Sequence, residues 1–301
     1  MSEIERGILS TLIFFNIFQV PATKERILAL LYQTKTNLSE LNNNLNQLLN
    51  QGKIFKRGAY YALSQADLDR YEQKLTLVNK QWQKVFRFYW LLYLLPFVRQ
   101  ISIINSLALN NTNEKSDIDF FVITSPRRLY VARSIIIVIL KLFGLYKTKY
   151  KVKDRFCFGF YVTKKHQDLS RVLIPGSDPL FAFWFASFLP LYGREDYLEF
   201  MKQNQWIYDY LPNFEPDSCF QKLKEPSFIL KVIKKTLEII FWLPAELLEP
   251  LARLVHIRHT FSLPENHWPT ATTIAEKDIL KLHALDPRKD FKAEFQNRLN
   301  T

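Results

Sequence analysis

The stretch from Ile101 to Thr124, ISIINSLALNNTNEKSDIDFFVIT, constrains the chain more than any other. The apolar run Ile101 to Ile104 predicts a buried strand, and Asn105-Ser106 opens a turn. A polar stretch from Asn110 to Ser116 follows, and Asp117-Ile118-Asp119 then leads into Phe120-Phe121-Val122-Ile123-Thr124. Alternate side chains of a strand share a face, so Asp117 and Asp119 are expected side by side, with Ile118 turned into the core. Two carboxylates held together on a rigid strand repel each other in the absence of a cation. Hard divalent ions such as Mg²⁺ or Mn²⁺ take such oxygen ligands together with substrate phosphates. The Ser106 hydroxyl and the N–H groups of its turn, with Ser116 beside the acids, suit those phosphates. The expectation is a nucleotide site.

A chain of 301 residues has room for two or three domains, and 48% hydrophobic with 15% aromatic residues argues for packed cores rather than disorder. Basic residues outnumber acidic ones, 41 to 29, and the net charge of +12 suits nucleic acid, nucleotides or anionic lipid without choosing among them. Cys157 and Cys219 have no metal-like spacing, which predicts a reduced, cytoplasmic protein; nothing at the start resembles a secretory signal. Three apolar runs, 88–98, 135–146 and 179–192, fall short of the roughly 18–20 apolar residues a membrane span needs and read as buried helices.

Residues 7–63 read as a small winged-helix-like unit, within a domain placed at 1–65. Three helices are expected, the second capped by Thr23, the third by Asn37 or Ser39 with Leu41, Leu45 and Leu48 inward and Gly52 at its end. A hairpin over 53–63 turns at Arg57-Gly58. The third helix lacks Lys and Arg between 38 and 51, which argues against DNA reading, since phosphate contacts dominate DNA affinity. Residues 66–98 read as one long helix with an aromatic core stripe. After the acid pair, Ser125-Pro126 suits a helix start carrying Arg127, Arg128 and Arg133 as candidate triphosphate contacts. Lys147, Lys149, Lys151, Lys153 and Arg155 recur at every second position, which on a strand aligns five cations for nucleic-acid or triphosphate phosphates; a guarded edge strand or basic loop reads the same way. Residues 178–192 predict an apolar helix, 226–260 an amphipathic helix broken at Pro244 with Glu238, Glu246 and Glu249 interrupting its apolar face, and 272–300 a charged helical region around Asp286-Pro287-Arg288. His256 and His259 lack the further ligands of a zinc site.

The 101–124 stretch resembles the signature of the nucleotidyltransferase fold, the DNA polymerase beta superfamily: an apolar strand, Gly-Ser, a gap of about ten residues, then Asp-x-Asp opening the next strand. Here Ser106 and Asp117 bracket ten residues (117 − 106 − 1), and Asn105 stands where the family usually has glycine. Asn204, Trp206 and Leu211-Pro212-Asn213 also resemble bacterial, winged-helix-bearing members, extending the likeness over most of 80–215. The resemblance implies an α+β, predominantly helical chain: a winged-helix-like domain at 1–65, a nucleotidyltransferase-like domain with a small mixed sheet at 66–170, and a helical region at 171–301. It implies Mg²⁺ (or Mn²⁺) on Asp117 and Asp119, an NTP substrate, and transfer of a nucleoside monophosphate to an acceptor it does not name. It also implies a third carboxylate on a later strand, where this sequence offers Phe158, Gly159 and Phe160, with Asp154 before and Asp168 beyond. Asn105 and that missing acid support an alternative, a nucleotide- or partner-binding module without turnover. A basic nucleic-acid binder is the third possibility.

Overall fold

The computed structural model describes residues 1–268, 271–282, 286 and 288–299. Ser2 caps the first helix, α1 (Glu3–Ile17), in a capping box with Glu5. After β1 (Ala22–Thr23), the Thr23 hydroxyl accepts the Arg26 N–H and starts α2 (Lys24–Ala29). Asn37 does the same for α3 (Leu38–Asn50), which buries Leu41, Leu45 and Leu48. The hairpin of β2 (Phe55–Arg57) and β3 (Tyr60–Ala62) turns through Gly58 at φ +56°. These strands form a small antiparallel sheet in the order β1-β3-β2.

Next come α4 (Gln65–Arg87) and α5 (Tyr89–Leu94) in place of the single helix expected over 66–98. The break falls at Phe88, which leaves helical geometry while its N–H still bonds the Lys84 and Phe86 carbonyls. The central elements are β4 (Val98–Ile104), α6 (Asn105–Ala108), β5 (Ile118–Thr124), α7 (Leu129–Leu142) and β6 (Phe156–Thr163). They are followed by α8 (Pro179–Ala186), β7 (Leu189–Tyr192), α9 (Arg194–Lys202), α10 (Ile207–Tyr210), α11 (Phe228–Ser262), β8 (Ile274–Ala275), β9 (Ile279–Lys281) and α12 (Arg288–Leu299). The architecture is α+β and predominantly helical. Six strands form the larger sheet in the order β7-β4-β5-β6-β9-β8, with β5 and β6 parallel and every other pair antiparallel.

Four sequence expectations give way to tertiary structure. The 178–192 helix stops at Ala186, and its last residues become β7, an edge strand where Pro190 costs no central ladder bond. Residues 147–155 form an irregular loop rather than a strand, so their cations do not align on one face. The terminal region expected to be helical first adds β8 and β9 to the free side of β6, and only then forms α12; Pro287 lies outside the described residues. Pro244 does not break its helix, because α11 continues through both Pro244 and Pro250.

The large sheet has an apolar core on each side. Ile118, Phe120 and Val122 of β5 pack with α5, α7 and Ala245 of α11. Phe121 and Ile123 face the other way, into a core shared with α1, α3, α8 and α12. Phe14 stacks on Phe183 at 4.1 Å between ring centroids, and Asn213 bonds Thr34 and Thr36, so the first sixty residues and the later helices share one interior. No helix among the described residues is long and apolar enough to cross a membrane.

Candidate functional site

The acid pair sits where the strand geometry puts it. Asp119 lies abreast of Ile104 on β4 and of Cys157 on β6, and its neighbour Ile118 is fully buried. One ligand atom each from Asp117, Asp119 and Cys157 can be chosen so that all lie within 4.8 Å of one another. The three side chains converge on the sheet face that carries Phe121, opposite α7 and α11.

The turn between β4 and β5 closes one side of the cluster. Asn105 takes the left-handed conformation, φ +58°, which asparagine tolerates better than other side chains with a Cβ. It is also a conformation that glycine adopts freely, so asparagine meets the same backbone requirement here. The Asn105 side-chain oxygen, Oδ1, accepts the Trp184 indole N–H at 2.7 Å, which fixes the amide beside Asp119. Ser106 follows, half-buried, in the short helix α6. Ser116 lies in the loop leading into β5, where its hydroxyl accepts the Asn113 N–H at 2.9 Å.

Lys147 closes the other side. Its backbone N–H bonds the Phe156 carbonyl, and its ammonium lies 2.6 Å from Asp117 Oδ2 and 3.7 Å from Cys157 Sγ. Burial pushes the Asp119 carboxyl up to about 6, and the charge of Asp117 adds to this; the Asn105 amide and Lys147 pull it back. Burial also raises the Cys157 thiol, with Asp119 reinforcing it, so the sulfur stays protonated. For Lys147, burial works against the ammonium but is outweighed by the carboxylates of Asp117 and Asp119, and its pKa rises.

The donor set fits a hard cation through its two carboxylates only. Asp117 Oδ2 is buried, and among the described residues its charge is met by the Lys147 ammonium. A protonated thiol is a poor partner for Mg²⁺, which leaves the remaining ligand positions to water or phosphate.

The three arginines predicted as phosphate contacts lie elsewhere. Arg127 and Arg128 follow the far end of β5, roughly 20 Å along the strand from Asp119, and both pair with Glu246 of α11. Arg133 is buried on the opposite sheet face, over the Tyr161 ring, and donates to the Phe158 carbonyl at 3.2 Å. Asp154 is held by Gln81 and Lys80 of α4, and Asp168 caps the turn at Ser170. Asn204 is a buried bracket, accepting from Leu169 N and Trp206 Nε1.

Sequence reasoning missed Cys157, and it read Lys147 as one of five aligned phosphate contacts rather than as the partner of Asp117. The residue beside Asp119 could be found only from the strand register. Gly159 is the extra residue of a bulge, so β6 pairs Phe158 with Phe120 but Phe160 with Phe121, and simple alternation from Gly159 misassigns the faces. Comparison of the chain with family models, with curated proteins and with solved structures finds no match.

Proposed function

We propose that the chain is a nucleotidyltransferase, moving a nucleoside monophosphate from an NTP to an acceptor in the cytoplasm, with Mg²⁺ or Mn²⁺ held by Asp117 and Asp119. The observation that carries this reading is the convergence of those two carboxylates from one strand onto the turn at Asn105 and Ser106. Support for the nucleotidyltransferase-type sheet comes from its order: two antiparallel strands joined through that turn, then a parallel β6 reached through α7. The sequence α1-β1-α2-α3-β2-β3, with β3 central in its sheet, supports the winged-helix-like reading of the first 65 residues. Both cysteines are free, in keeping with a reducing compartment.

In this reading the turn at Asn105 and Ser106 receives the β- and γ-phosphates through backbone N–H groups and the serine hydroxyl. Lys147, on a loop rather than a strand, trades its contact with Asp117 for a phosphate oxygen. The exposed Lys149, Lys151 and Lys153 on the same loop add positive charge for the phosphates of the nucleotide or of a nucleic-acid acceptor. The cation, when bound, supplies charge neutralisation for the triphosphate and a lower pKa for an acceptor hydroxyl.

One specific feature favours a second reading, nucleotide binding without turnover. A lysine ammonium already balances Asp117, and Cys157 occupies the place abreast of Asp119 where a third acid would sit. Labelled NTP with Mn²⁺ and a panel of acceptors separates the two. The transferase reading expects pyrophosphate release that Asp117→Asn or Asp119→Asn lowers by about a hundredfold or more, and that Cys157→Asp raises. Nucleotide binding lost in the same two variants, with no pyrophosphate from any acceptor even in Cys157→Asp, would establish the second reading.

A further inference from the structure

Helix α11 is amphipathic in the wrong direction for water. Its polar stripe faces the protein: Lys234 donates to the Val98 carbonyl, Glu238 pairs with Arg99, and Glu249 accepts the first free N–H groups of α7, from Tyr130 and Val131. His256 continues the stripe with contacts to Ser134 and Arg133. The opposite side is apolar and bare. A row stepping by three and four from Ile229 through Ile240, Leu243, Leu247 and Leu251 to Leu254 carries one polar side chain, Thr236, and no charge. Leu247 is 69% exposed and Ile229 68% exposed. At 1.5 Å per residue the row is about 38 Å long. It widens onto the neighbouring helix through Val138 and Leu142 of α7. Monomeric proteins in water rarely leave so long a contiguous apolar strip uncovered.

We propose that this face is an in-plane anchor that lays the protein on an anionic lipid bilayer. The charge pattern selects that occupant. Lys231, Lys235 and Arg258 are exposed at the edge and end of the strip, and none of them forms an ion pair among the described residues. Trp242, 59% exposed, lies on the same edge as Lys235, where an amphipathic ring meets lipid headgroups. A net charge of +12 draws the chain toward anionic lipid and sets two copies against each other. Spanning is excluded for α11 by its inner stripe of Lys234, Glu238, Glu246 and Glu249, so the helix lies flat, immersed on one side only. The acid pair occupies the other face of the sheet, so the anchor does not depend on the nucleotidyltransferase reading.

The test is co-sedimentation of the full chain with vesicles of equal parts phosphatidylcholine and phosphatidylglycerol, beside vesicles of phosphatidylcholine alone, with the oligomeric state measured in parallel. The expected result is binding to the anionic vesicles that Leu243→Glu with Leu247→Glu weakens by at least about tenfold. Those side chains point outward, so the thermal unfolding of the double variant stays unchanged. Lys231→Gln with Lys235→Gln weakens anionic binding by a smaller factor. Binding that survives Leu243→Glu with Leu247→Glu would overturn the proposal, since charge alone would then suffice. Absence of vesicle binding, with a dimer that the same double variant splits, would overturn it and assign the face to a second copy.

Discussion

Asp119 is 9% exposed and sits beside another carboxylate, and the Asn105 amide, Lys147 and the Cys157 thiol offset only part of the cost of its charge. Its folded pKa, about 6, lies above the ordinary value of 3.8. The sign follows: the native state holds this proton more tightly than the unfolded chain, so stability is fully present below about pH 4 and is lost as pH rises through about 6. Without added metal, Asp119→Asn is therefore expected to raise the melting temperature at pH 7.5, by a free energy of at most about 3 kcal/mol, and to do nothing at pH 4. Thermal melts of both proteins at the two pH values decide it, and an equal difference at both would show that the carboxylate is not strained by its surroundings. The acid pair was legible in the sequence because the two-residue period of a strand needs no knowledge of its neighbours. Cys157 was not, because its place abreast of Asp119 is set by the register of a parallel pairing between strands far apart in the chain. The arginines were misplaced for a related reason: Arg127 and Arg128 follow β5 in the chain but pair with a glutamate from α11, over a hundred residues on.

At the level of elements, capping and periodicity were readable wherever the signal was local. Thr23 and Asn37 cap the helices they were expected to cap, and Gly58 turns its hairpin. What was hidden is which side of an amphipathic helix faces inward. In α11 the glutamates that were expected to interrupt an apolar inner face are the inner face, since Glu238, Glu246 and Glu249 each find a partner on the body of the protein. His256 is part of the same docking surface. Burial lowers its pKa from 6.5 to about 4, and the charges of Arg133 and His259 reinforce this. A depressed folded pKa means stability that is present above about pH 6.5 and is lost as pH falls toward 4, with an upper bound of about 3 kcal/mol. Acidification should accordingly loosen α11 from α7. The expected outcome is a lower melting temperature at pH 4.5 than at pH 7.5, with that difference reduced in His256→Gln, which keeps a hydrogen-bonding side chain without the charge change. Circular dichroism melts across that range test it, and an undiminished pH dependence in the variant would place the acid sensitivity elsewhere.

Across the whole molecule, the two apolar faces of the large sheet explain why the chain is long and aromatic. Each face requires a cover: one comes from α5, α7 and α11, the other from α1, α8 and α12. Phe14 is central to the second cover, stacked on Phe183 and edge-on to Phe291, and it links three stretches that lie far apart in sequence. Arg298 reaches Asn16 on the same side. If this interior is one cooperative unit, Phe14→Ala should lower the stability of the entire chain by about 3–5 kcal/mol, the range for truncating a buried aromatic. The calorimetric trace should keep a single transition at lower temperature. Deleting residues 1–65 should be harsher, since it uncovers Phe183, which Phe14 and Tyr32 cover, and leaves an apolar surface that promotes aggregation. A trace that divides into two transitions, with Phe14→Ala moving only the smaller one, would instead show that the first sixty-five residues fold as a unit of their own, resting on the rest of the molecule without stabilising it.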